Sequence, residues 1–116
     1  MLIRIIKDKL SVKELQEMAR EGFGDMVKAV VDVKQEIMAV GGELHADEEV
    51  ELMEKEGSKR EHTWGVNFYP GKSEEDFIEF DSMINLKPAL SNRSRNIEDL
   101  EIQEKVKNIV RKLIRD

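Results

Sequence analysis

Residues 63–87 contain two runs in which apolar and polar side chains alternate, joined by a turn-forming stretch at 70–76. The apolar positions are Trp64, Val66 and Phe68 in the first run and Ile78, Phe80, Ile84 and Leu86 in the second. A period of two is typical of half-buried β-strands. The pattern therefore predicts an antiparallel hairpin that places Phe68 opposite Ile78. The same register pairs Val66 with Phe80, Trp64 with Ser82, Asn67 with Glu79 and Gly65 with Asp81.

Helices are predicted at three places. Ser11 and Glu14 form a capping-box pattern ahead of a helix over residues 12–21. A second helix is expected to begin after Asp47, acting as its N-cap, and to run to about residue 56. A third is expected after Asn96, where apolar residues recur with helical spacing up to the C-terminal end of the sequence.

Residues 26–42 fit two different structures. Their apolar side chains fall at heptad spacing, which a single helix would satisfy. Several of them are β-branched valines, however, and Gly41 and Gly42 end the run. We expect two strands, at about 26–33 and 36–41, folded at residues 34–35, with the single helix as the alternative.

These elements predict one α+β domain spanning residues 1–116. With a first strand at about residues 2–7, the order along the chain is βαββαββα. The expected architecture is a mostly antiparallel sheet of about five strands, packed by two or three helices. A mass of 13.4 kDa suits a single core.

Composition restricts where the protein works and what it binds. No apolar run approaches the roughly 20 residues that a membrane span needs, so we expect no membrane partner. The sequence has no cysteine, which suits the reducing cytoplasm. Residues 1–85 carry 11 Lys/Arg against 20 Asp/Glu and residues 86–116 carry 8 against 5, net charges of −9 and +3. Such a chain repels nucleic acid over most of its surface, and its polarity permits head-to-tail association into a homo-oligomer.

The first candidate site is the polar side of the predicted hairpin. The alternation turns four polar side chains to one face: Asn67, Glu79, Asp81 and Asn85. The two carboxylates would stand about 7 Å apart, which suits acid–base chemistry or a hard cation. The alternative is a water-facing sheet surface. Phe77 and Met83 lie beside these residues, which indicates cover by another element or a partner.

The second candidate site is a metal site near the start of the second helix. If that helix began near His45, then His45 and Glu49 would lie one turn apart and could bind Zn²⁺ or Mn²⁺ together with Asp47. The alternative is that the acidic residues stabilise the positive end of the helix. Because no second histidine follows at ligand spacing, we expect no cofactor, with a divalent metal as the alternative.

The third candidate site is an anion-binding loop formed by Asn92, Arg93 and Arg95. Two arginines ahead of a helix N-terminus can bind an oxyanion or a phosphate group. The alternative is an ordinary polar connection, in which the arginines pair with surface carboxylates.

Five strings in the chain serve as identifiers. They are Gly-Gly-Glu-Leu-His-Ala-Asp-Glu-Glu (41–49), Glu-Gly-Ser (56–58), Trp-Gly-Val-Asn-Phe-Tyr-Pro (64–70), Ile-Glu-Phe-Asp-Ser-Met-Ile-Asn-Leu-Lys-Pro (78–88) and Asn-Arg-Ser (92–94). In these strings the chain resembles a small bacterial family catalogued as a domain of unknown function. The resemblance implies a stand-alone bacterial cytosolic protein and brings no reaction, substrate or partner.

The absence of a complete catalytic, metal or nucleotide motif shapes the functional hypotheses. The leading hypothesis is a non-enzymatic interaction module that self-associates through the polar hairpin face and the arginine loop. The rival is a metal-assisted hydrolase or phosphate-handling enzyme that uses His45, Asp47, Glu79 and Asp81. A third hypothesis is weak nucleic-acid binding through the basic residues of the segment 87–115.

Overall fold

The structure, a computed structural model that describes residues 2–116, contains one five-stranded sheet. Its strands are β1 (Arg4–Ile6), β2 (Val27–Asp32), β3 (Ile37–Val40), β4 (Thr63–Phe68) and β5 (Ile78–Glu79). Its helices are α1 (Val12–Glu21), α2 (His45–Glu56) and α3 (Leu100–Leu113). The spatial order of the strands is β1-β3-β2-β4-β5, and each neighbouring pair is antiparallel. The predicted α+β fold and the order βαββαββα are confirmed.

The segment that fitted two structures is a hairpin, and the single-helix alternative is wrong. β2 pairs with β3 from Ala29 opposite Val40 to Asp32 opposite Ile37. The Asp32 carboxylate closes the turn. Its Oδ1 atom accepts hydrogen bonds from the backbone N–H groups of Lys34 and Gln35, at 2.8 and 3.0 Å. An aspartate at the start of a tight turn commonly acts in this way.

Both faces of the sheet are covered. α1 and α3 pack on one face, around a core that includes Val31, Trp64 and Phe68. α2 covers the other face, where Leu52 packs with Val30 and Ala39. All six residues of β4 are consequently buried. The interpretation of one β4 face as an ordinary water-facing surface is therefore wrong.

Helix starts follow capping chemistry at two of three places. The capping box of α1 is present, because Ser11 Oγ accepts from Glu14 N–H at 3.0 Å and Glu14 Oε1 accepts from Ser11 N–H at 3.3 Å. α3 is capped by Asp99 rather than Asn96. α2 begins at His45 with Leu44 as its N-cap, so the predicted cap Asp47 lies inside the first turn. Within residues 2–116, no helix has the length and apolar character of a membrane span.

The predicted β4–β5 hairpin is correct in register and wrong in length. Phe68 lies opposite Ile78 and Asn67 opposite Glu79, as expected. β5 then ends, and residues 83–85 form a single 3₁₀ turn. Ser82 begins this turn, because its hydroxyl oxygen accepts from Ile84 N–H at 3.3 Å. The predicted strand positions of Ile84 and Leu86 are therefore wrong, and so is the strand pairing predicted for residues 80–82.

Beyond β5, the Asn85 side chain takes the place of a strand beside β4. Its Oδ1 atom accepts from Gly65 N–H at 2.8 Å, and its Nδ2 atom donates to Gly65 C=O at 2.9 Å. A second bond from Nδ2 reaches Arg95 C=O at 3.0 Å. This arrangement fixes the segment 81–98 against the sheet and positions the residues that follow β5.

Candidate functional site

A cleft of 490 Å³ opens on the α2 side of the sheet. Its polar and charged lining residues are Lys28, His45, Asn67, Tyr69, Glu79, Asp81, Ser82 and Arg95. Apolar side chains complete the wall, among them Met26, Leu44 and Met83. Its volume lies within the range of about 300–1,000 Å³ that is typical of ligand sites. The cleft is the candidate functional site, because it joins residues from all three predicted constellations.

Three strands place complementary groups in one row on the floor of the cleft. Lys28 on β2 is the register partner of Asn67 on β4, which is in turn the partner of Glu79 on β5. Register partners in adjacent strands carry their side chains on the same face of the sheet. A cation, an amide and an anion therefore lie side by side.

Asn67 is the fixed centre of this row. Its Nδ2 atom donates to Glu79 Oε1 at 2.8 Å and to Asp81 C=O at 3.2 Å. These bonds orient the amide, so that Oδ1 is the remaining acceptor. This oxygen is shielded from water and makes no hydrogen bond within the described chain, although the His45 ring lies near enough for the Asn67 side chain to oppose the lowering of the His45 pKa. A buried acceptor without a partner costs about 1–3 kcal/mol, so it marks a site where a ligand donor would be favourable.

Tyr69 holds the Glu79 carboxylate from a second direction. Its hydroxyl donates to Glu79 Oε1 at 3.0 Å. Burial, followed by the Glu79 hydrogen bond and charge, raises the pKa of Tyr69. The phenol therefore stays protonated at neutral pH and keeps its donor role.

His45 lines the cleft from the first turn of α2. Its Nε2 atom lies 2.9 Å from the Val66 carbonyl oxygen. Because a carbonyl only accepts, Nε2 carries the hydrogen, and Nδ1 is left as an acceptor in the neutral ring. Burial lowers the pKa of His45, against the opposing effect of the Val66 hydrogen bond. We therefore regard His45 as a neutral imidazole at pH 7.

The two cations of the cleft differ in their freedom. Arg95 is held by Asp81, with 2.7 Å between Nε and Oδ1. Lys28 has no ion pair with any carboxylate in residues 2–116, and its Nζ atom lies 5.2 Å from the centre of the Phe23 ring. Lys28 is thus the cation that can take a new anionic partner.

The metal-site residues do not come together. Asp47 is exposed on α2, while Glu49 turns away from the cleft and accepts from Thr63 Oγ1 at 2.6 Å. Arg60 and the buried Lys87 also approach Glu49, with Nε to Oε1 at 3.4 Å and Nζ to Oε2 at 3.9 Å. Burial lowers the pKa of Lys87, and the Glu49 charge opposes this effect. The described chain has no group of three His, Asp or Glu side chains arranged to hold a metal ion.

Asn85 and Asn92 are structural rather than free to bind a ligand. Asn85 is engaged with Gly65, as described above. Asn92 Nδ2 donates to the carbonyls of Asn85 and Asn96 at 2.7 Å each, and its Oδ1 accepts from Glu98 N–H at 2.8 Å. The predicted anion loop is therefore divided: its asparagine folds the loop, Arg95 lines the cleft, and Arg93 is exposed outside it.

Glu48, which the sequence indicated only as one of the acidic residues at the helix start, is fully buried beneath α2. Its Oε2 atom accepts from Gly42 N–H at 2.9 Å, while Oε1 has no partner within the described chain. Burial raises the pKa of Glu48 well above the usual value of 4.5, although the Gly42 hydrogen bond opposes the rise. The Glu48 carboxyl group therefore holds its proton more tightly in the folded protein than in the unfolded chain.

A Glu48→Gln substitution should change how stability depends on pH. With a raised folded-state pKa, the contribution of Glu48 is fully present below pH 4.5 and is lost as the pH rises through the folded-state pKa. The difference in the free energy of unfolding between the variant and the wild type should therefore shift by about 1–3 kcal/mol in favour of the variant from pH 4 to pH 8, as expected for an uncompensated buried charge. Urea unfolding at each pH measures this difference. Glu54→Gln, at an exposed position of the same helix, is the control and should show none; a parallel response of both variants would contradict the assignment.

An apolar patch adjoins the cleft. We define it by five exposed side chains on α2 and on the segment after β5: Leu44, Val50, Met53, Met83 and Leu86. Leu44 is 55% exposed and Met83 is 63% exposed. The two elements are in contact. Met53 lies one turn after Glu49, which approaches Lys87, and Val50 lies one turn before Met53. Exposed apolar residues grouped in this way are characteristic of contact surfaces.

Comparison with known proteins supplies a family without an activity. A family model described as "Protein of unknown function (DUF5674)" matches residues 4–113. No curated protein and no solved structure matches the chain.

Proposed function

We propose that this chain, which belongs to the DUF5674 family of proteins of unknown function, is a non-enzymatic interaction module that self-associates. The apolar patch is the observation that carries the proposal. Apolar side chains that lie together on a surface mark contact sites, and burial of these five would release about 25 cal/mol for each Å² removed from water. The absence of cysteine supports a cytosolic setting for the module.

The polar groups of the cleft support binding rather than catalysis. Glu79 is held by Asn67 and Tyr69, Asp81 is held by Arg95, and His45 is held by a backbone carbonyl. Ser82 is buried and its oxygen accepts a backbone hydrogen bond. A nucleophile activated by a neighbouring base, which covalent catalysis needs, does not occur among these contacts.

Charge indicates how two copies would meet. The patch is bordered by acidic side chains of α2, including the exposed Asp47 and Glu54. Two such patches facing each other would place like charges together. Residues 105–112 of α3 instead include the exposed basic side chains of Lys105, Arg111 and Lys112. We therefore propose head-to-tail association, in which the patch of one copy meets the α3 surface of the next.

Light scattering across a range of concentrations tests the proposal. The wild type should show an average mass that rises above 13.4 kDa with concentration. The double variant Val50→Ser/Met83→Ser should weaken the association at least about tenfold, because about 1.4 kcal/mol of lost apolar burial corresponds to that factor. Leu2→Ser is the matched control, since Leu2 is 84% exposed but lies next to β1, at the opposite edge of the sheet.

A charge exchange tests the orientation. Glu54→Lys and Lys105→Glu should each weaken association, and the combination should restore it, because opposite charges again face each other. A mass of one chain for the wild type at millimolar concentration would contradict self-association. Association that persists in both single variants, or that is lost in them and not restored in the combination, would contradict the head-to-tail arrangement alone.

A further inference from the structure

The row formed by Lys28, Asn67 and Glu79 is positive at one end and negative at the other. Its ends carry opposite charges, and neighbouring strands are about 4.8 Å apart, so the two end residues are about 10 Å apart at the backbone. With the Asp81–Arg95 pair and a neutral His45 added, the charges lining the cleft sum to zero. A ligand of one sign would be repelled at one end of the row, whereas a ligand with separated charges would be attracted at both.

We infer that the cleft binds a short zwitterionic amino-carboxylate, such as a small peptide, with its carboxylate at Lys28 and its ammonium group at Glu79. The inference does not rest on self-association, because neither Lys28 nor Glu79 belongs to the apolar patch. Leu44 and Met83 line the cleft and also belong to the patch, so binding is measured at a concentration at which light scattering gives the mass of one chain. A monomeric protein would bind such a ligand equally well.

The Lys28 end is suited to a carboxylate. Lys28 has no ion pair within residues 2–116, so its charge is available. The first residues of α2, His45 and Ala46, also line the cleft, and the N-cap Leu44 makes no side-chain hydrogen bond to the helix start. A helix N-terminus without a side-chain cap leaves N–H groups and partial positive charge for an anion.

The Glu79 end is suited to an ammonium group. Glu79 Oε1 is occupied by Asn67 and Tyr69, which fix the carboxylate in place. Its Oε2 atom makes no hydrogen bond to the described residues, and the neighbouring Asp81 is already paired with Arg95. Glu79 is therefore an oriented anion with one free oxygen.

The middle of the row is suited to peptide N–H groups. Asn67 is only 6% exposed, lies between the two charges, and has the acceptor Oδ1 without a partner in residues 2–116. The neutral ring of His45 adds a second acceptor, Nδ1, in the wall of the cleft. A backbone N–H group of the ligand could donate a hydrogen bond to Asn67 Oδ1 or to His45 Nδ1. An ion without N–H groups would satisfy neither.

Triglycine and its capped forms test the inference. Triglycine, N-acetyltriglycine, triglycine amide and acetate would be titrated into the full chain and followed by amide NMR shifts. Triglycine should bind best, and either cap should weaken binding at least about tenfold. Acetate should bind no better than the N-acetylated peptide. Equal binding of triglycine, N-acetyltriglycine and acetate, with loss only in triglycine amide, would overturn the proposal in favour of a plain anion site. Equal binding of all four probes would overturn it because neither charged end of the peptide would then be recognised.

Variants assign each end of the ligand. In Lys28→Met, triglycine and triglycine amide should bind with equal affinity, because the side chain that pairs with the carboxylate is gone. In Glu79→Gln, triglycine and N-acetyltriglycine should bind with equal affinity, because the side chain that pairs with the ammonium group is gone. Glutamine keeps the acceptor for Asn67 and Tyr69, so this variant preserves the local structure. Lys105→Met and Glu101→Gln on α3 are matched controls that should bind as the wild type does. Sensitivity to both caps that persists in both cleft variants would show that the peptide binds elsewhere.

Discussion

Replacing Asn85 with alanine should lower the free energy of unfolding by about 3–5 kcal/mol. The side chain forms three hydrogen bonds to backbone groups, two of them to Gly65 inside the protein. Alanine leaves the Gly65 N–H and C=O groups without partners in a buried setting, and each such group costs about 1–3 kcal/mol. Together the two groups cost about 2–6 kcal/mol, and the expected loss lies within this range.

Urea denaturation with a two-state fit measures this loss. Asn108→Ala is the control, because Asn108 is exposed on α3 and its removal should change stability by no more than about 0.5 kcal/mol. Asn85→Asp separates the roles of the two side-chain atoms. It keeps an acceptor for Gly65 N–H but removes both donated bonds, so it should also be strongly destabilising. A loss below about 1 kcal/mol in Asn85→Ala would contradict the strand-like role of this side chain.

Replacing Gly65 with alanine should cost about 2–3 kcal/mol, because the position has no room for a methyl group. A Cβ atom there would lie 2.5 Å from both Cβ and Oγ of Ser82, and 3.1 Å from Ile84 Cγ1. Either the segment 81–98 moves away from β4, which breaks the Asn85 bonds, or the strand itself shifts. Both outcomes reduce the melting temperature and the free energy of unfolding.

Two further variants make this prediction specific. Gly71→Ala is the matched control, because no atom lies within 4 Å of the added Cβ; it should be neutral or stabilise by up to about 1 kcal/mol. Adding Ser82→Gly to Gly65→Ala removes the atoms that clash and should recover part of the loss, which appears as a coupling of about 1 kcal/mol or more between the two sites. Strict additivity of the two substitutions would rule out a direct clash as the cause.

Much of the sheet could be predicted because its signals are local. The alternation in β4 and the turn-forming residues after it give the register of Phe68 with Ile78. The β-branched valines and the following glycines distinguish a hairpin from a helix in residues 26–42. The length of β5 could not be predicted in this way. Alternation continues past Glu79, but a side-chain amide replaces the ladder, and such a replacement has no periodic signature.

The candidate site was predictable only in part, for the same reason. Asn67 and Glu79 lie together because the hairpin register decides their placement, whereas Asp81 lines the same cleft from beyond the end of β5. His45 and Arg95 reach the same cleft from distant parts of the chain, which depends on how α2 and the segment 81–98 pack. Lys28 was missed, although it carries the free positive charge. Its partnership with Asn67 follows from pairing β2 with β4, a step that requires the strand order of the whole sheet.

The contact between Asn85 and Gly65 also closes an edge that would otherwise be open. β5 pairs with only two residues of β4, so the N–H and C=O groups of Gly65 would be free to recruit a strand from another molecule. Open edges of this kind are starting points for aggregation, and natural proteins protect them in many ways. Here a single amide side chain does so. A protein that loses it should therefore form amyloid-like or amorphous deposits on mild heating, under conditions where the wild type stays in solution.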